Sequence, residues 1–392
     1  MEREESETDP LRVKSFDDLN EDTEEQLDPR IYRGLSVGAR DWTVGTLVAQ
    51  IEAGNIDLAP RYQRRSAWND VKRSRYLESL IIGVPVPQLV LAELRGKPGK
   101  FVVIDGKQRL LTVAGLYSSD YDFWDNREFR GMLSLAELNT VAVDLFLSSS
   151  DYAEFRRQLE NQSIRAALVV GTQSDDLLYD IFYRLNSGSV PLSGQELRQT
   201  ILRGKFTDFL FEVTNTRQPI HDVMNIDGPD QRMYDSELVL RYIAAALSLV
   251  EYNGNLKGYL DTTTSRLNQN WDQYAKDVQH SYDGLNRAIE NLSRVVSVTH
   301  IGRRRLESRF EGRLNKALLE VQLFYFSRLK NVPKNSAGRF DNALKQLCGN
   351  RAFAESIEST TKTIDRFRTR FLMFGELIDE VYGSAIEPPL IK

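Results

Sequence analysis

The chain is poor in the residues that most metal and nucleophile chemistry needs. It holds one cysteine, Cys348, so an intrachain disulfide and a cysteine zinc cluster are both excluded. It holds three histidines, His221, His280 and His300, far apart and in neither an HNH-like nor an H-E-x-x-H spacing. That argues against a histidine-based nuclease or zinc hydrolase. No apolar run reaches membrane length. The N-terminus is acidic, the opposite of a secretory signal, so a cytoplasmic protein without membrane partners is expected. There is no internal repeat, and low complexity is confined to the acidic start.

What is present is an ordinary globular composition, 41% hydrophobic and 27% charged, on 392 residues, which suits two domains. The net charge of −5 is unevenly spread: residues 1–28 carry twelve acidic and three basic side chains, a net of −9, which leaves +4 on the remainder. Acidity overall therefore does not exclude a polyanionic partner. Residues 1–30, without periodicity, predict a disordered tail, and a folded domain is expected from about residue 35.

The central stretch is Val102-Val103-Ile104-Asp105-Gly106-Lys107-Gln108-Arg109 followed by Leu110 to Leu116. Phe101 to Ile104 reads as a buried strand and Lys107 to Tyr117 as a helix packed on a sheet, with Asp105-Gly106 between them. Gly106 allows close backbone approach, the helix start offers unpaired N–H groups, and Lys107 and Arg109 add charge, a combination suited to phosphate. The alternative is an ordinary strand–helix turn with Asp105 as its cap.

Two further polar concentrations flank it. Pro60-Arg61-Tyr62-Gln63-Arg64-Arg65 with Trp68 is too rich in arginine and aromatics for a plain connector, although Tyr62 and Trp68 as anchors beside solvated arginines is the simpler account. Asn69 or Asp70 then caps a helix through Tyr76, Leu77, Leu80 and Ile81, ended by Gly83 and the prolines Pro85 and Pro87. Strands are expected at Gln88–Leu94 and Val141–Leu147, and helices at 151–162 and 174–185. The second concentration runs from Arg184-Leu185-Asn186-Ser187-Gly188 to Ser193-Gly194-Gln195-Glu196-Leu197-Arg198. Ser193 and Glu196 stand at capping-box spacing; Asn186 is either a helix end or a ligand-facing amide. Beyond residue 205 long amphipathic helices are expected at 235–252, 264–298, 303–330 and 354–382. Arg305, Arg309 and Arg313 recur every four residues, a basic stripe that reads first as a solvated face and second as a nucleic-acid contact.

In order and separation, Arg61-Tyr62-Gln63-Arg64, Asp105-Gly106-Lys107-Gln108-Arg109 and Arg184-Leu185-Asn186 through Glu196-Leu197-Arg198 resemble the N-terminal domain of GmrSD-type modification-dependent restriction proteins, over roughly residues 40–245. That domain also occurs in the phosphorothioate-sensing defence protein SspE and is related to the ParB/sulfiredoxin nucleotide-binding fold. Met233-Tyr234-Asp235-Ser236-Glu237-Leu238-Val239-Leu240-Arg241 also looks like a segment found after this domain.

The resemblance implies an α+β, ParB/sulfiredoxin-like nucleotide-binding domain at 35–204 after a 1–34 tail, then an all-helical domain at 205–392. It implies nucleoside triphosphate binding and hydrolysis with Mg²⁺, carried by Asp105, Gly106, Gln108 and Arg109. Lys107 stands where the family has a glutamine, a departure that bears on hydrolysis more than on binding. Arg61, Tyr62, Gln63, Arg64 and Asn186 are implied as nucleotide contacts, Asp105 or Asn186 as Mg²⁺ ligands, and Glu196 as a water-positioning residue. Family proteins often carry a C-terminal HNH nuclease, whose pattern is missing here. Expected partners are therefore a nucleotide, DNA and a separate nuclease or defence subunit, with a second copy of the chain left open. The competing reading is a non-enzymatic DNA-binding or adaptor protein that uses the same basic surfaces.

Overall fold

The computed structural model describes residues 32–58, 68–94, 96–121, 124–171, 177–178, 181, 193–358 and 363–391. The chain's internal contacts divide it at Ile201/Leu202 into an N-terminal and a C-terminal unit.

The N-terminal unit is built on one mixed sheet in the order β1 (Ser36–Thr43), β5 (Ser163–Val170), β3 (Leu89–Glu93), β4 (Phe101–Asp105) and β2 (Ile56–Asp57). β3 runs antiparallel to β4 and parallel to β5, and β2 runs parallel to β4. Strand alternation explains why β3 and β4 are apolar at almost every position. Leu89, Leu91, Phe101 and Val103 face one layer, which includes Leu47 of α1 (Val44–Glu52), Leu77 and Leu80 of α2 (Asp70–Ile81), and Leu110 and Val113 of α3 (Lys107–Tyr117). Val90, Ala92, Val102 and Ile104 face the other side, where they cluster with Val169, Leu178 and Leu197. The sheet is thus covered on both faces.

Helix α2 begins at an Asn69 cap that accepts from the Lys72 N–H. It also holds a stretch with little regular structure. Asp70 accepts from the N–H groups of Asp125 (3.1 Å) and Asn126 (3.2 Å), Ser74 from Arg130 (2.9 Å), and Glu78 from Ser134 (2.6 Å) and Leu135 (2.9 Å). Positions 70, 74 and 78 recur every four residues, so these acceptors share one face of the helix.

In this unit one expectation is corrected and one unread element appears. Val141–Leu147 forms not a strand but a short helix, α4 (Val143–Ser148), in which Val143 and Phe146 are buried while Leu145 is exposed. A three-residue apolar spacing inside a short run reads equally as strand or helix. Ser163–Val170, given no element by the sequence reading, is the strand β5; Ile164, Ala166 and Leu168 are its buried alternate positions. The 151–162 expectation corresponds to α5 (Ala153–Asn161).

The C-terminal unit is helical among its described residues. Its centre is Lys316–Phe326, a helix with every residue buried, as expected of one surrounded on all sides. Its two charged residues are paired: Lys316 with Glu237 (3.2 Å) and Glu320 with Arg370 (3.0 Å). The expected 264–298 helix is two, Leu256–Gln269 and Trp271–Ser293. The expected 303–330 helix is also corrected. Residues 303–315 are irregular, with an Arg305–Phe310 bridge, and the helix starts at Lys316 behind an Asn315 cap. The end of the chain gives helices Arg351–Glu358 and Ile364–Tyr382.

Candidate functional site

β4 ends at Asp105 and α3 starts at Lys107, so the whole connection is Gly106. Gly106 itself is the N-cap, with φ +96° and no side-chain cap bond, which corrects the reading of Asp105 as the cap. That left-handed conformation is open to glycine and strained for other residues. Space makes the same demand: a Cβ here would lie 2.4 Å from Leu89 Cδ2 and 3.2 Å from Arg109 Cζ.

Arg109 reaches back across the turn. Its Nη2 donates to Asp105 Oδ2 (2.6 Å), and its Nη1 donates to the Gln88 carbonyl (3.0 Å) and to the Pro87 carbonyl. The residue is 8% exposed. It therefore ties the end of β4 to the segment that enters β3, and its guanidinium is engaged by protein acceptors. The Asp105 side chain remains 45% exposed, and only its Oδ2 is taken. Beside this clamp lies Tyr76, whose buried hydroxyl has no hydrogen-bond partner. Burial pushes that phenol's pKa up, with the Arg109 guanidinium acting against the shift. Trp68 packs edge-on against the Tyr76 ring at 5.7 Å.

Lys107 opens α3. The residue is half-buried. Burial pulls its pKa below the ordinary lysine value, and the Glu196 carboxylate acts against that pull. Glu196 belongs to α6 (Gly194–Ile201), where the capping box is complete. Its N–H donates to Ser193 Oγ (3.1 Å) and its Oε2 accepts from the Ser193 N–H (2.6 Å). Gln108 is half-buried, and its carbonyl accepts from Thr112 Oγ1 (2.8 Å).

Asp105, Gly106, Lys107, Arg109 and Glu196 are thus brought to one neighbourhood. Arg61, Tyr62, Gln63, Arg64 and Asn186 lie outside the described residues, as does most of the expected 174–185 helix. The basic stripe does not form: Arg305 makes a two-point pair with Asp341 (2.8 and 3.0 Å), while Arg309 and Arg313 are exposed on irregular backbone. The Tyr234–Arg241 segment is structural. Asp235 takes the Asp230 and Ser236 N–H groups, and His221 Nε2 lies 3.0 Å from its carboxylate, with both side chains fully buried. His221 Nδ1 accepts from the Gln218 N–H, which fixes the ring with its proton on Nε2. Two contributors escaped sequence reasoning: Tyr76, and the Pro87 and Gln88 carbonyls. Nothing in a sequence marks a backbone acceptor or a hydroxyl without a partner.

No group of three or more His, Cys, Asp or Glu able to hold a metal occurs among the described residues. One half-exposed carboxylate at a helix start suits Mg²⁺ that arrives largely liganded by phosphate and water, and it does not suit a cation caged by protein alone. No helix among the described residues is long and apolar enough to cross a membrane.

A mixed sheet covered on both faces, with a strand–glycine–helix turn at one strand end and a half-buried lysine beside it, makes up an α+β domain. Residues 44–203 match the family model described as GmrSD restriction endonuclease, N-terminal domain, which is less than half of the chain. The chain carries a GmrSD-type N-terminal domain, followed by a helical C-terminal part. No curated protein and no solved structure matches it.

Proposed function

We propose that the protein belongs to a restriction-type defence system and that its N-terminal domain binds, and with Mg²⁺ hydrolyses, a nucleoside triphosphate at the Asp105–Arg109 turn. The observation that carries this reading is the Gly106 cap. It is a left-handed residue with no room for a Cβ, at a helix start with no side-chain cap, and the next residue is a half-buried lysine close enough to Glu196 to feel its charge. Backbone N–H groups at such a start favour an anion, and Lys107 adds a full charge.

The roles divide as follows. Lys107 neutralises charge on the phosphates. Asp105, with Oδ1 left over from its Arg109 pair, supplies the carboxylate for phosphate-bound Mg²⁺. Arg109 keeps the turn in shape through the Pro87 and Gln88 carbonyls. Gln108 stands at the family's second glutamine position as the water-aligning amide, and Glu196 sets the field around Lys107. Arg61, Tyr62, Gln63, Arg64 and Asn186 complete the site on the strength of the family resemblance, Asn186 as the other oxygen available to Mg²⁺. Cutting of DNA is assigned to a separate nuclease subunit.

Calorimetric titration of ATP, GTP, CTP and UTP with and without Mg²⁺, together with phosphate release, tests the reading. At least one nucleotide should bind in an Mg²⁺-dependent way, and Asp105→Ala should abolish release. Lys107→Gln should lower kcat with little change in affinity, because a cation beside a transferring phosphoryl group acts mainly on the transition state. Absence of binding, or equal release by all three proteins, would refute it in favour of a non-enzymatic DNA-binding role.

A further inference from the structure

β1 (Ser36–Thr43) forms one edge of the N-terminal sheet and β2 (Ile56–Asp57) the other. An open edge presents unpaired N–H and C=O groups, and proteins blunt it by shortness, proline, a bulge or charge. β2 is blunted by its two-residue length. β1 is not: it runs for eight residues without proline, and its pairing with β5 is unbroken from Ser36–Val170 to Thr43–Ser163. Residues 36–41 are exposed, and among the described residues no backbone hydrogen bond joins the outer side of β1 to another segment. Its two charges are turned to their own sheet instead of guarding the edge. The Arg40 guanidinium lies 5.9 Å from the ring centroid of Trp42, and Asp41 is 3.8 Å from Arg165 on β5.

An antiparallel strand added to this edge satisfies the outward groups, and the sequence of β1 restricts which strand fits. If the newcomer is β1 of a second copy, a two-fold axis perpendicular to the sheet relates the two strands. Each residue and its own copy then point to the same face, so directly opposed residues have numbers of equal parity. A pairing centred on Arg40 or on Asp41 sets like charges against each other on the axis, which is destabilising. A pairing centred on Gly38 engages only residues 36–40. Centred on Ala39, residues 36–42 all pair: Ser36 opposite Trp42, Val37 opposite Asp41, Gly38 opposite Arg40, and Ala39 opposite itself. No like charges are then opposed, and the two largest side chains, Arg40 and Trp42, each meet a small residue.

We propose that two copies of the chain associate through β1, in an antiparallel pairing about Ala39 that joins two five-stranded sheets into one. The occupant is a second copy because β1 complements itself in this register, large residues against small ones and like charges apart. The contact is isologous and closed, so association stops at the dimer.

Sedimentation velocity and light scattering on the full chain, over a range of concentrations, test this. Wild type should move from one to two chain masses as concentration rises. Ala39 is exposed, so Ala39→Glu and Ala39→Arg should both fold with the wild-type thermal midpoint. Ala39→Glu sets two carboxylates against each other on the axis, beside the Asp41 side chains, and should stay at one chain mass. An equimolar mixture of Ala39→Glu with Ala39→Arg should recover the dimer, because opposite charges then meet on the axis. Wild type at one chain mass throughout overturns the proposal and leaves the edge to a different partner. A dimer that Ala39→Glu does not weaken, or a mixture that fails to recover it, overturns the two-fold pairing through β1. None of these readings depends on nucleotide binding, so the two proposals fail separately.

Discussion

Arg109→Ala separates a residue that shapes a turn from one that lends it charge. The structure gives the guanidinium two kinds of partner. The Asp105 carboxylate is 45% exposed on its side chain, so that pair is discounted to less than about 1 kcal/mol. The Pro87 and Gln88 carbonyls receive charge-assisted bonds, about 1.5–3 kcal/mol each in favourable cases. Both residues are exposed and the two bonds are part-buried, so water replaces part of the lost donor, which keeps the sum at the lower end. The expected loss is about 2–3 kcal/mol for Arg109→Ala against less than about 1 kcal/mol for Asp105→Asn. Urea unfolding followed by tryptophan fluorescence measures it. Of the four tryptophans, Trp42, Trp68 and Trp124 lie in the N-terminal unit, so a Trp271→Phe background makes the signal local. Equal losses for the two variants would refute the clamp and return Arg109 to the role of a phosphate ligand.

Gly106→Ala should cost about 2–4 kcal/mol in the same assay, combining left-handed strain with overpacking against the fully buried Leu89; a loss under 0.5 kcal/mol, about the range of neutral surface changes, would contradict the geometry. For Lys107, burial lowers the folded pKa, so between that value and the ordinary one the unfolded chain holds the extra proton and stability rises with pH. Unfolding at several alkaline pH values should show this rise in wild type and lose it in Lys107→Met; identical slopes would show that folding does not lower the Lys107 pKa. Burial pushes the Cys348 thiol up to about 11, so a thiol reagent at pH 8 should react roughly two orders of magnitude more slowly with folded than with urea-unfolded protein. Reaction at the unfolded rate would place the thiol at the surface.

Legibility in the sequence followed the strength of local signals. The β4–Gly106–α3 unit was readable because an apolar run, a glycine and a helical period meet within sixteen residues, and the Ser193/Glu196 capping box was readable from spacing alone. β1 was not. Ser36–Thr43 is an exposed edge strand whose order comes from backbone pairing with β5, so it carries no buried face to pattern. The arginine spacing at 305, 309 and 313 misled because a four-residue period implies a stripe only if the backbone is helical, and the Arg305–Asp341 pair is made instead on an irregular loop. In the site, identity was legible and state was not. The sequence placed Arg109 near Gly106, but only the folded structure shows its donors spent on Asp105, Pro87 and Gln88.

The row of acceptors on α2 has a consequence for motion. The N–H groups of Asp125, Asn126, Arg130, Ser134 and Leu135 belong to no ladder of their own, and each ends on a side chain of one helix. Mechanically the stretch is an outrigger of that helix, and it should move with α2. Its amides should therefore exchange with solvent deuterium on the timescale of α2 itself, orders of magnitude more slowly than coil of the same composition, and all five should be released in a single cooperative event.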